Sequence, residues 1–132
     1  MRLFLTGSIA AVIAAKVWLA AALPITGDEA LFYGWSQHLA LGYYDHPPMI
    51  AWMLAALTAI SDSVFFLRLP TVLLSLLIAL GIWDVIRRLN PTASQQATLI
   101  ACLFIVLPIN WFGVPVTNDT PLIALYFLAV YF

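Results

Sequence analysis

The sequence predicts an all-α integral membrane protein, on three observations. Of its 132 residues, 64% are apolar and only 8% charged, with a mean hydropathy of +1.04. Soluble domains run near half apolar and about 25% charged. The apolar residues fall in long runs, and a membrane-spanning helix needs about 20 residues. Four of the six acidic residues and both histidines lie between those runs, in residues 24–64. Together these features exclude a soluble domain, a disordered tail and a nucleic-acid binder, since five Lys and Arg in all cannot make a basic face. A net charge of −1 implies no strongly acidic or basic partner. The single cysteine, Cys102, excludes an internal disulfide and reads as a packed thiol in an apolar run.

Leu3–Leu23 is the first expected span. Arg2 ahead of it places the N-terminus in the cytoplasm. Ala20-Ala21-Ala22 could mimic a signal-peptide cleavage site, but the length of the run and the later spans favour an uncleaved helix. Lys16 interrupts the run, so it either snorkels to the interface or faces a polar cavity. No Lys or Arg follows until Arg68, which puts the loop 24–64 outside the cytoplasm. Within it, Thr26-Gly27-Asp28-Glu29 opens a helix expected to reach about Leu41. Leu31, Trp35, His38 and Leu39 share one face, and Gly42 is the stop.

Met49–Ile60 is apolar but only 12 residues long. As a helix it reaches about 18 Å, short of a bilayer core of about 30 Å. Were it to cross, Arg87 and Arg88 would be carried outside. It is therefore expected to lie at the outer membrane face, with Asp62 and Arg68 flanking a turn. Phe65–Val85 is the second span, running inward to Arg87-Arg88. Asn90-Pro91-Thr92 makes an inner turn. Ala97–Val116 is the third span, kinked or ended by Pro108. Val116–Pro121 forms a second outer loop, with Pro121 at the first helical position and Thr120 as cap. Residues 121–132 begin a fourth span of roughly 17 Å that stops inside the membrane. The expectation is the N-terminal part of a longer chain, or a truncated product. No internal repeat or low-complexity segment is visible.

The chemistry concentrates in the outer loop. Thr26 and Glu29 fit a capping box, and Asp28 in the first turn complements the helix dipole. Spacing alone favours capping over catalysis. The same geometry suits catalysis, because a helix N-terminus favours an ionised carboxylate able to take a proton from an incoming hydroxyl. Tyr43-Tyr44-Asp45-His46 reads as interfacial aromatics and a solvated turn. Alternatively, His46 contacts a phosphate, and Asp45 with His46 contributes to a divalent metal site that needs further ligands from elsewhere. Asp119 is a helix-start acid or a second carboxylate facing the same site as Asp28.

Gly27-Asp28-Glu29-Ala30 with Tyr33 and Trp35, then Gly42-Tyr43-Tyr44-Asp45-His46-Pro47-Pro48-Met49-Ile50-Ala51-Trp52, resembles the N-terminal region of membrane glycosyltransferases with the C-type fold. These are the bacterial relatives of protein O-mannosyltransferases and lipid A aminoarabinose transferases. Phe66-Leu67-Arg68-Leu69-Pro70, Arg87-Arg88 and Asn118-Asp119-Thr120-Pro121-Leu122 continue the likeness over nearly the whole chain. The resemblance implies a large helical bundle in the bacterial inner membrane, its first outer loop bearing surface helices. It implies transfer of a sugar from a polyprenyl-phosphate donor, within membrane lipid, to an acceptor glycan, lipid or protein on the non-cytoplasmic face.

Carried over residue by residue, the resemblance makes Asp28 the base and Glu29 its catalytic partner. His46, Tyr43, Tyr44 and Asp119 become substrate- or phosphate-binding candidates, and Asp45 a metal candidate. The aminoarabinose branch has a Glu-Lys pair before the two prolines, where this chain has Asp45-His46. It also has an arginine where this chain has Leu31, so a phosphate contact is missing and the sugar stays unassigned. Two competing functions are a lipid-linked sugar flippase or transporter, which would carry polar residues along its spans, and a non-catalytic truncated subunit.

Overall fold

Among the described residues, proline chemistry and helix caps divide the apolar runs into eight helices. A computed structural model describes residues 2–132, with side chains from residue 10 onward. The order is α1 (Arg2–Ala22), α2 (Gly27–Ser36), α3 (Met49–Thr58), α4 (Val64–Leu67), α5 (Leu69–Leu89), α6 (Ser94–Val106), α7 (Pro108–Phe112) and α8 (Asp119–Tyr131). The expected all-α membrane fold is what the chain adopts, and α5 is its central element. It packs along α6 and is also touched by α1, α4 and α8, while α2 pairs with α3, which touches α4 and α8.

Val64–Leu89, comprising α4 and α5, is long and apolar enough to cross a membrane. Pro70 does not interrupt it, because the first turn of a helix has no partner for the missing N–H. The last described part of α1, Ala10–Ala22, passes the same test only together with α2, from which it bends by 72°. Pro24 supplies the break. Lys16 does not snorkel. It is 2% exposed, and its Nζ donates to Ser75 Oγ of α5 at 2.7 Å.

Two expected boundaries move, and the third span, 97–116, divides where Pro108 is expected to kink or end it. It breaks at Leu107, whose ψ of 139° is the extended conformation forced on a residue before proline, and Pro108 starts the short α7. Helix α2 ends at Ser36 rather than Leu41, where a side chain from later in the chain meets the carbonyls around its end: Tyr43 Oη lies 2.9 Å from Trp35 O in the last turn and 3.0 Å from His38 O just beyond it. Pro121 is not the first residue of α8. The helix starts at Asp119, and the Thr120 hydroxyl accepts from the Thr117 N–H at 3.3 Å.

Two clusters form the core at the end where α1 finishes and α5 begins. Phe32, Ile50, Leu54, Leu67 and Val116 make one; Ala20, Val72 and Val114 make the other. Toward the opposite end, α5 and α8 approach closely at Gly81. A β-carbon there would stand 2.5 Å from Phe127 Cζ and 2.7 Å from its Cε2. Tyr131 Oη donates to Asp84 Oδ2 at 2.6 Å and fixes the register below that contact. Gly81→Val is therefore expected to overpack the α5–α8 contact and cost about 1–3 kcal/mol. The check is a lowered unfolding temperature in detergent that the second substitution Phe127→Ala restores.

Candidate functional site

The site begins with a proline. Pro24 has no N–H, so the carbonyl of Ala20, at the end of α1, has no helical donor. Arg68 supplies one. Its Nη1 donates to Ala20 O at 3.1 Å and to Leu23 O at 2.8 Å, and its Nη2 to Pro24 O at 2.9 Å. The remaining two N–H groups meet Glu29: Nε to Oε1 at 2.8 Å and Nη2 to Oε2 at 2.7 Å. All five guanidinium donors are thus used, and the residue is 0% exposed. The side-on, two-bond arrangement is the strongest geometry an arginine and a carboxylate adopt.

Glu29 is equally saturated. Besides Arg68, its Oε2 accepts the Thr26 N–H at 3.0 Å and its Oε1 the Val116 N–H at 2.9 Å. Thr26 Oγ1 returns the favour by accepting the Glu29 N–H at 3.2 Å, so the expected capping box is present. Burial alone would raise the Glu29 carboxyl. The hydrogen bonds from Arg68, Thr26 and Val116, with the Arg68 charge, outweigh it and hold the group below the usual carboxylate range. One side chain therefore joins α2, the head of α5 and the strand of chain leading into α8.

Asp28 is the opposite case. It is exposed in the first turn of α2, and among the described residues nothing bonds to its carboxylate. Its backbone is fixed by the clasp on Glu29 while its side chain faces outward. Asp119, three residues beyond Val116, is also exposed and starts α8 at the same end of the bundle.

The Tyr43–His46 turn is an ordered aromatic platform. Tyr43 stacks on Trp35 with centroids 4.4 Å apart and planes 11° apart. Its hydroxyl accepts the Ala40 N–H at 3.2 Å as well as facing the Trp35 and His38 carbonyls, so it is committed to backbone. Trp52 Nε1 donates to Ala40 O at 3.1 Å and pins the same loop to α3. The ring of His46 lies 5.7 Å from Phe32 and 5.6 Å from Trp35. Its Nδ1 sits 2.6 Å from Asp45 Oδ1 without the alignment of a hydrogen bond. Tyr44 is fully exposed. Tyr33 donates to Asp62 at 3.3 Å, and the Asp62 charge pushes the phenol above its ordinary range. Among the described residues no three of His, Cys, Asp and Glu gather as metal ligands, so Asp45 with His46 does not by itself make a divalent site.

Arg68 is the residue that spacing did not single out. The signal was there: it is the one cation between Lys16 and Arg87, and it heads an apolar span. A charge that enters such a place is paired or costly.

A profile described as dolichyl-phosphate-mannose-protein mannosyltransferase matches residues 45–132. The chain belongs to this family. A lipid A galacturonosyltransferase, RgtD, of Rhizobium johnstonii is 35% identical over 108 residues, which cover 78% of this chain and 22% of that protein. The chain thus spans about a fifth of the curated relative it matches. No solved structure gives a significant match. The profile takes in Arg68, His46 and Asp119, whereas Asp28 and Glu29 precede it.

Removing one member of the clasp strands the other as a buried charge, which costs about 3–5 kcal/mol. Glu29→Ala and Arg68→Ala are each expected to lower the unfolding temperature strongly, and the double variant to fall short of the sum of the two. Additive losses would show that the pair is not coupled. The pH dependence has a fixed sign. A carboxylate held low contributes its full stability above the unfolded value of about 4.3 and loses it as the pH falls through the lower folded value. Wild type is therefore expected to lose thermal stability below about pH 4.3 by more than Glu29→Gln does.

Proposed function

We propose that this chain carries the acceptor-activating end of a membrane glycosyltransferase. In this reading a sugar moves from a polyprenyl-phosphate donor to an acceptor on the non-cytoplasmic face of a bacterial inner membrane. The observation that carries it is the contrast between two adjacent carboxylates. Glu29 has every acceptor position filled by Arg68, Thr26 and Val116, so it is a positioning residue. Asp28 is exposed on a backbone that those bonds immobilise, which is what a base needs: a fixed origin and an open lone pair.

The proposed step is a single displacement. Asp28 takes the proton of the acceptor hydroxyl, and the freed oxygen attacks the anomeric carbon. The bond from that carbon to the lipid phosphate oxygen breaks, its electron pair leaving with the phosphate, and the anomeric centre inverts. His46 and Asp119 are the side chains proposed to meet the phosphate and the acceptor. Tyr43 holds the loop that presents His46, and Tyr44 is free to touch substrate. The relative's name gives galacturonate as its sugar and lipid A as its acceptor. A glycolipid of that kind is accordingly the first acceptor class proposed for this chain.

Asp28→Asn in the full-length enzyme, assayed in membranes with a polyprenyl-phosphate sugar, is expected to slow transfer about 10²–10⁴-fold, the usual worth of a general base. The variant should fold normally, since the Asp28 carboxylate holds nothing in place. Wild-type turnover by folded Asp28→Asn enzyme would sink the assignment.

A further inference from the structure

A second place, apart from Asp28 and the aromatic platform, sets several hydrogen-bonding groups among apolar side chains such as Leu74, Ile78 and Ile123. A cavity of about 260 Å³ opens between α5, the α6–α7 corner and the start of α8. Thr71, Ser75, Asn110, Thr117, Thr120 and Phe104 are among its lining residues. The geometry points to a saccharide subsite here, taking one sugar ring by its hydroxyl groups. This inference rests on the glycosyltransferase reading and names where part of its substrate sits.

Three arguments support it. The first is the broken helix. Irregular backbone at membrane depth persists only where it is buried in protein or lines a polar cavity. The break at Leu107 is followed at once by Asn110, which turns into this cavity. The second is spare hydrogen-bonding capacity. Thr71 and Ser75 are committed: Thr71 Oγ1 lies 2.8 Å from both Arg68 O and Val114 O, and Ser75 Oγ donates to Val72 O at 2.8 Å while accepting from Lys16. Three other groups are not. Asn110 uses only Nδ2, toward Phe104 O, leaving its side-chain carbonyl. Thr120 accepts from the Thr117 N–H, leaving its O–H proton, and among the described residues the Thr117 hydroxyl has no partner. Asn110 and Thr117 are half-buried, so their spare groups are open to a ligand entering the cavity. The third is size and character. The cavity is below the roughly 300–1,000 Å³ of drug-sized sites, which suits a single ring rather than a glycan. Phe104 offers an aromatic face beside the polar groups, which matches a molecule with apolar C–H faces and a rim of hydroxyls.

Two sources share this chemistry, the donor's sugar and a sugar of the acceptor. The test uses the full-length enzyme in membranes, with a polyprenyl-phosphate sugar and a glycolipid acceptor varied separately. Asn110→Leu and Thr117→Val are expected to raise one KM about tenfold, the effect of one or two lost hydrogen bonds, with kcat changed less than about threefold. A raised donor KM assigns the subsite to the donor sugar, and a raised acceptor KM to the acceptor. Folding is controlled independently by Thr117→Cys in a cysteine-depleted enzyme. A charged, membrane-impermeant thiol reagent should modify it and block transfer, while Leu122→Cys on the exposed side of α8 should resist the reagent. Unchanged KM values in both variants, or a Thr117→Cys that the reagent cannot reach, overturn the subsite. Asp28→Asn reports separately on the base, so failure here leaves that reading standing, and failure there leaves the KM effects to be read alone.

Discussion

The buried pair of Glu29 and Arg68 is the interaction on which the loop end of the molecule depends. Three pieces of chain meet there that sequence distance keeps far apart: the start of α2, the head of α5 and the residues before α8. Each brings groups that burial would otherwise leave unsatisfied. Pro24 deprives α1 of a donor, the first turn of α2 lacks acceptors, and the Val116 N–H lies outside any helix. Arg68 and Glu29 together answer all three. Two buried charges are weak evidence for stability in themselves, since their desolvation can exceed their attraction. Here the surplus comes from the backbone groups they satisfy. The pair specifies which segments come together more than how firmly they hold.

That constraint separates the two neighbouring acids by environment. Environment assigns roles to paired carboxylates elsewhere by the same logic, one withdrawn and one available. Consecutive helix residues point about 100° apart, so a clasp that draws Glu29 inward turns Asp28 to the outside. An exposed acid on a mobile loop would be a poor base, because a misplacement of about 1 Å can cost about a hundredfold in rate. The clasp supplies the rigidity, and the capping box is a part of it rather than its rival. Capping and catalysis are thus not competing readings of Thr26–Glu29. The first belongs to Glu29 and the second is proposed for Asp28.

Local rules explain what could be read in advance. The apolar runs gave the helical class, Pro108 gave the break near the middle of the third run, and Thr26 with Glu29 gave the start of α2. Each depends on residues within a turn or two of one another. The misses share the opposite property. Helix α2 stops at Ser36, where Tyr43 returns to the carbonyls of Trp35 and His38. Lys16 stays inside because Ser75, 59 residues later, accepts from it. Arg68 is central because Glu29, 39 residues earlier, faces it. A pairing across that distance has no spacing signature in a single sequence. What the sequence does carry is the need for one: a lone cation at the head of an apolar span has to be neutralised somewhere.

The need also bears on topology. Under the proposed orientation Arg68 lies on the outer side, where Lys and Arg are scarce. Bonded side-on to Glu29 and withdrawn from solvent, it adds no net charge to that face. Asp28, Asp45 and Asp119 are left exposed there with no neighbouring free cation among the described residues of the loop. An acceptor hydroxyl approaching such a surface meets acids rather than ammonium groups, which suits proton removal. The departing lipid phosphate, by contrast, would be repelled. The loop carries two imidazoles: His38, exposed just beyond α2, and His46, whose Nδ1 stands 2.6 Å from Asp45 Oδ1. In the proposed reaction the loop end therefore offers carboxylates that can take a proton rather than fixed positive charge that could hold a phosphate.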